Sequence, residues 1–200
     1  PYAAYCETIW KALARAARKP AGVSPFDGDE LKQLLIFLGG DDNNRGNKVL
    51  AAAVAFLRGT GGRCEDALKL KYEYITDEGP GEGFTIRYPK LREDGSRNAR
   101  KGDRQALTLP MPDTLDDGTA IGEYFRSHIN EHREPGAFVF QTPRGHRGWS
   151  GKAMSNSYFN EHLRSALRAL GWSEEEAAKF GTHSFRKTVH GRGDEYRRGP

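Results

Sequence analysis

Three short segments, far apart along the chain, carry side chains suited to chemistry on a phosphate. The first is Gly61-Gly62-Arg63-Cys64-Glu65-Asp66-Ala67-Leu68-Lys69-Leu70. A glycine break followed at once by Arg63 predicts that this arginine opens a helix, with Asp66 three residues on and within reach of its guanidinium. The helix dipole disfavours positive charge at that end, so an arginine there calls for an anionic partner. The second segment runs from Arg87 to Arg104. It holds Arg87, Lys90, Arg92, Arg97, Arg100, Lys101 and Arg104 against Glu93, Asp94 and Asp103. The third is Gly181-Thr182-His183-Ser184-Phe185-Arg186-Lys187-Thr188. On a helix His183 and Arg186 share a face, and Phe185 points away toward a core. Two arginines, a lysine and a histidine are the set that phosphoryl transfer without a metal requires. Planar guanidinium forks neutralise the equatorial oxygens. A lysine gives a proton to the departing oxygen, and a histidine orients or accepts the attacking proton.

The elements that must position these groups follow from the residue pattern. Helical periodicity marks residues 4–18, and Lys19-Pro20-Ala21-Gly22 ends that helix as a linker. A second helix is predicted over about 29–38, capped by Asp27 or Asp29. Residues 48–58 are apolar nearly all round, which predicts a buried helix. A short helix is expected at about 63–71. Phe84 to Tyr88 alternates like a strand, and so does Gln105 to Leu109, which should stop at Pro110. The basic segment joins these two strands and so reads as the tip of a hairpin. A helix over 117–133 and a strand at Ala137–Phe140 come next. A long helix is expected over 151–170, with Tyr158, Phe159, Leu163, Leu167 and Leu170 on its apolar stripe. Residues 173–179 start with Ser and acids, a good helix N-terminus. A last helix begins near Thr182 and is interrupted at Gly191-Arg192-Gly193. The order is helices, hairpin, helices. It predicts a mainly α domain with a small antiparallel β-sheet, an α+β arrangement rather than an alternating βαβ one.

Composition bounds the function classes. Two hundred residues, 36% hydrophobic, suffice for one sizeable domain with a core. The net charge is +4, and the Arg87–Arg104 segment alone accounts for it. A local basic patch on a neutral body suits a polyanion such as nucleic acid, and a solvated basic loop is the plainer alternative. No apolar run approaches the roughly eighteen residues a membrane span needs. Cys6 and Cys64 cannot form a disulfide framework, which points to a reducing, intracellular compartment, cytoplasm and nucleus being equally open. No signal peptide is visible, and the chain begins without Met, as a fragment or processed chain would. No GxxxxGK[ST] loop is present, so ATP use is not implied.

GGRCEDALKLKYEYI (61–75) resembles the first arginine box of the tyrosine recombinases, or phage integrases, and THSFRKT (182–188) resembles their His-x-x-Arg box. The basic hairpin lies between them, where that family keeps its catalytic lysine. The resemblance covers about residues 25–189. It implies a catalytic domain over 21–190, preceded at 1–20 by the end of a helical core-binding domain and followed at 191–200 by a disordered or aberrant tail. By this resemblance Arg63 and Arg186 clamp the scissile phosphate, His183 is the second-box histidine and Asp66 takes the acidic supporting position. Lys90 is the preferred lysine and Lys101 the alternative. Arg87, Arg92, Arg97, Arg100, Arg104 and Lys187 would contact DNA. The family attacks a DNA phosphate with tyrosine, needs no cofactor or metal, and works on double-stranded DNA as a tetramer. The departure lies after Arg186: Tyr196 follows too closely to match the nucleophile's spacing. The expectation is a chain that binds DNA through an incomplete site and does not cut it alone.

Two other readings compete. A DNA-binding remnant of a mobile element, without chemistry, would share every basic feature. His128-Ile129-Asn130-Glu131-His132 fits the H-x-x-E-H pattern of inverted zinc peptidases, in which His128 and His132 would chelate zinc beside Glu131 as general base. An exposed polar helix is the plainer account of that pattern.

Overall fold

The computed structural model describes residues 24–40, 44–62, 64–88, 107–131, 134, 136–144 and 148–185. The expected helix over 4–18, the hairpin tip and the tail over 191–200 lie outside them, and so do the proposed boundaries at 20 and 190.

Helix α1, Gly28–Gly39, begins where Asp27 and Glu30 form a reciprocal capping box, with the Glu30 amide donating to Asp27 Oδ1 at 2.7 Å. Its buried face is Leu31, Leu34, Leu35 and Leu38, a one-sided spacing that seats it on a neighbour. That neighbour is α2, Arg45–Thr60, started by the Asn44 side chain and buried along Val49 to Leu57. Its small run Ala51 to Ala55 lets other elements close in on all sides. Gly61 ends α2 in the left-handed conformation, φ 61°, with its amide donating to the Leu57 carbonyl at 3.0 Å. Helix α3 follows as Cys64–Leu68, shorter than the 63–71 expected, because the Leu70 amide turns back to the Ala67 carbonyl.

A 3₁₀ turn at Tyr72–Tyr74 leads into an antiparallel sheet in the order β1-β2-β3: Ile75–Gly79, Gly83–Tyr88 and Leu107–Met111. Strand β1 has no apolar alternation, which is why the sequence hid it. Strand β2 buries Phe84 and Ile86 and exposes Arg87. Strand β3 does not stop at Pro110. That residue pairs with Thr85 inside the strand, which an edge position allows because, among the described residues, no further strand needs its missing N–H.

Helix α4, Ile121–Glu131, starts later than the 117 expected, and residues 132 and 133 lie outside the described residues. Asp117 holds the preceding turn by accepting from the Thr119 amide and hydroxyl. The strand expected at Ala137–Phe140 is only a bridge from Phe138 to Lys71, because the Val139 amide donates to the Leu70 carbonyl. The true strand is β4, Gln141–Arg144, paired antiparallel with β5, Gly148–Ala153. Residues 151–153 therefore belong to a hairpin. Helix α5 starts only at Asn156, where Ser155 caps the Tyr158 amide, and runs to Ala169. It buries Phe159, Leu163, Ala166 and Leu167, with Tyr158 and Leu170 at the margins. Helix α6, Glu174–Ala178, has the Ser173–Glu176 capping box, and residues 182–185 form a last helical turn.

The core has two aromatic centres. Phe56, Phe84, Phe125 and Phe140 join α2, β2, α4 and the residue that leads into β4, with Phe84 edge-on to Phe125 at 5.0 Å. Phe26, Phe159, Trp172, Phe180 and Phe185 form the second, which seats the last helical turn.

Candidate phosphate-binding site

Gly61 and Gly62 release the chain from α2, and α3 then starts at Cys64, directly after Arg63. Arg63 itself is outside the described residues. Its neighbour Cys64 is buried, and the thiol donates to Asn156 Oδ1 at 3.1 Å. The Thr182 side chain lies beside the same sulfur, near enough to lower its pKa. Burial pushes the thiol up to about 12, the Thr182 side chain pulls the other way, and the Glu65 carboxylate adds to the rise. The first segment thus meets the third through adjacent side chains, Cys64 beside Arg63 and Thr182 beside His183.

The third segment is held on its other side by α5. The Thr182 amide donates to Asn160 Oδ1 at 3.0 Å. The chain passes Asn160 so closely that a Cβ at Gly181 would lie 3.0 Å from that oxygen. The Gly181 amide donates to Ser184 Oγ at 3.1 Å and the Ser184 amide to the Gly181 carbonyl at 2.9 Å, which closes the turn. Phe185 is fully buried, stacked on Phe26 at 5.0 Å and edge-on to Phe159 at 6.0 Å. That is the inward orientation the residue pattern predicts. His183 is exposed on the opposite side of the turn.

The middle segment enters from Tyr88, the last residue of β2. Burial holds the Tyr88 hydroxyl well above the usual tyrosine range, and the Asp66 carboxylate of α3 adds to that rise. Asp66 therefore lies close to the strand end from which the basic segment departs. Arg87 is exposed at the same end. Lys90, Arg92, Arg97, Arg100, Lys101 and Arg104, and likewise Arg186 and Lys187, lie outside the described residues.

The zinc pattern dissolves among the described residues. His128 is buried with Nε2 bonded to the Val139 carbonyl at 2.8 Å and its ring stacked on Phe140. Glu131 is in an ion pair with Lys48 at 2.9 Å. No group of three metal-ligating side chains occurs among the described residues, and His132 is outside them. An open polar groove of about 500 Å³ beside α5 is lined by Ser157, Asn160, Glu161, Arg164, Arg168 and Glu174. Its arginines are engaged: Arg168 with Glu174, Arg164 with the carbonyls of Ala178 and Phe180.

Sequence reasoning missed Asn156 and Asn160. Their only signal was two amides one turn apart on a helix just upstream of the third segment.

The mainly helical domain with its small antiparallel sheet is the fold of tyrosine-recombinase catalytic domains. It matches the Tn1549 transposon integrase, solved with circular intermediate DNA, at a TM-score of 0.57 and 19% identity, over 91% of this chain and 56% of that one. It also matches the XerH site-specific recombinase bound to its difH substrate in a pre-cleavage complex, at 0.52 and 17%, over 84% of this chain and 43% of that one. The chain thus spans about half the length of these structures. No protein-family model matches the sequence, and neither does any curated protein.

Proposed function

We propose that this chain grips a phosphate of double-stranded DNA between Arg63 and Arg186, as the phosphate-binding part of a tyrosine recombinase's catalytic domain. The observation that carries this reading is that Cys64 and Thr182, each adjacent to a residue of one box, are bonded to asparagines one turn apart on α5, with the Thr182 side chain beside the Cys64 thiol. The DNA-bound state of the similar structures supports it at the level of fold. Arg63 and Arg186 offer bidentate forks to the non-bridging oxygens, with Asp66 orienting Arg63. His183 is exposed, so its ring is open to a ligand. Lys90, or Lys101 in its place, lies on a segment that leaves β2 near Asp66 and would protonate the departing 5′ oxygen. In the intact reaction a tyrosine hydroxyl attacks the phosphorus, forms a 3′-phosphotyrosyl bond and releases the 5′ hydroxyl. A 5′ hydroxyl from another strand then reverses the step, so the phosphodiester energy is kept and no nucleotide cofactor is consumed. No residue of this chain is assigned the nucleophile's part.

The test is fluorescence anisotropy with a labelled duplex. The chain should bind at low salt and release steeply as salt rises. Arg63→Ala and Arg186→Ala should each weaken binding by about tenfold, the weight of a charge-assisted hydrogen bond. Wild-type affinity in both variants, or no binding at low salt, overturns the proposal.

A further inference from the structure

We infer that Asn156 and Asn160 are positioning residues that set the separation of the two arginine boxes, an inference that rests on the reading above. They sit four apart at the start of α5, so their side chains share one face. Asn156 Oδ1 accepts from the Cys64 thiol at 3.1 Å, and Asn160 Oδ1 accepts from the Thr182 amide at 3.0 Å. One helix therefore holds the start of α3, next to Arg63, and the turn that leads to Arg186. The Thr182 side chain also lies beside the Cys64 thiol, which brings the two held segments together. A rigid helix fixes two anchor points better than a flexible loop does, and geometry at a phosphate is sensitive to small displacements. The tight passage of Gly181 past Asn160 shows how little room the turn has to drift.

Neither asparagine carries charge, and the bonds described for them are to the Cys64 thiol and the Thr182 amide, so their influence on DNA would pass through the segments they hold. That makes the inference separable from a plain loss of folding. Asn156→Ala and Asn160→Ala should each weaken duplex binding about three- to tenfold at low salt, the weight of one hydrogen bond. In an Arg186→Ala background Asn160→Ala should cost nothing further, because the group it positions is gone. Asn160→Gln keeps the amide but lengthens the tether. It should weaken binding as alanine does, and it serves if Asn160→Ala does not fold. Losses that persist undiminished in the Arg186→Ala background and track the melting temperature would mean a merely structural role and overturn the inference. Wild-type affinity in the asparagine variants overturns it as well. If Arg63→Ala and Arg186→Ala themselves bind DNA as the wild type does, the phosphate-site reading fails first and this inference falls with it.

Discussion

The thiol of Cys64 offers a sharp chemical probe of the junction between the two boxes. Burial raises it from the usual 9.0 to about 12. At pH 8 an unperturbed thiol is roughly one-tenth ionised, whereas one titrating at 12 is ionised to about one part in ten thousand. Only the thiolate attacks a disulfide reagent. Cys64 should therefore react about a thousandfold more slowly than a free cysteine, before any further slowing from poor access. The assay is absorbance-monitored thiol titration of a Cys6→Ser variant, which leaves Cys64 as the sole thiol. The rate should rise about tenfold per pH unit from 7 to 10 without a plateau, because the thiolate fraction keeps growing. The same chain unfolded in guanidinium should react at the free rate. Thr182→Val removes the hydroxyl that lowers the thiol's pKa, so native labelling should slow further. A plateau near pH 9, or native labelling as fast as unfolded labelling, would show that Cys64 is not packed against α5 and Thr182. The contact between the boxes would then be lost.

Phe185→Ala removes a fully buried ring from the second aromatic centre and should destabilise the fold by about 3–5 kcal/mol in denaturant titration; a loss under about 1 kcal/mol would mean the last turn is not seated there. A Cβ at Gly122 would overlap the Asp113 carboxylate and lie 2.7 Å from its Cα, so Gly122→Ala should cost more than about 2 kcal/mol, and a neutral result would refute that packing. Stability should also fall in alkali. Cys64 and Tyr72 are both raised to about 12 from usual values of 9.0 and 10.0. Below about pH 8 the folded and unfolded chains hold these protons nearly equally. Between about pH 8 and 12 the unfolded chain releases protons the folded one keeps, so the denaturant midpoint drops. Tyr72→Phe should flatten that drop, and a midpoint that stays constant up to about pH 11 contradicts the burial.

The elements that build the core were legible because their burial is one-sided or complete. The leucines of α1, the apolar run of α2 and the stripe of α5 announce themselves by period, and the Phe84/Ile86 alternation announces β2. The hairpin β4–β5 was hidden because its residues are mostly half-exposed and include Pro143, Gly148 and Gly151, so neither period survives. The start of α5 was misjudged for the same reason, since the cap at Ser155 is visible only once residues 151–153 are paired. Within the site, the order of boxes was readable and the inward aim of Phe185 followed from helical geometry. The bonds that join the boxes were not. Cys64 to Asn156 spans 92 positions and Thr182 to Asn160 spans 22. Each is a single polar contact of a kind no local pattern encodes. His128 shows the reverse failure, a motif spacing that the fold uses for a carbonyl bond and ring stacking.

The central claim is that Arg63 and Arg186 act on one phosphate. The most direct measurement is the salt dependence of duplex affinity for the wild type, both single alanine variants and the double variant. The slope of log K against log salt reports how many phosphates are neutralised, about 0.9 per phosphate. If both guanidinium groups share a phosphate, the double variant should lose about one phosphate's worth of slope. A loss of about twice that would place the two arginines on separate phosphates, and an unchanged slope would remove both from DNA altogether.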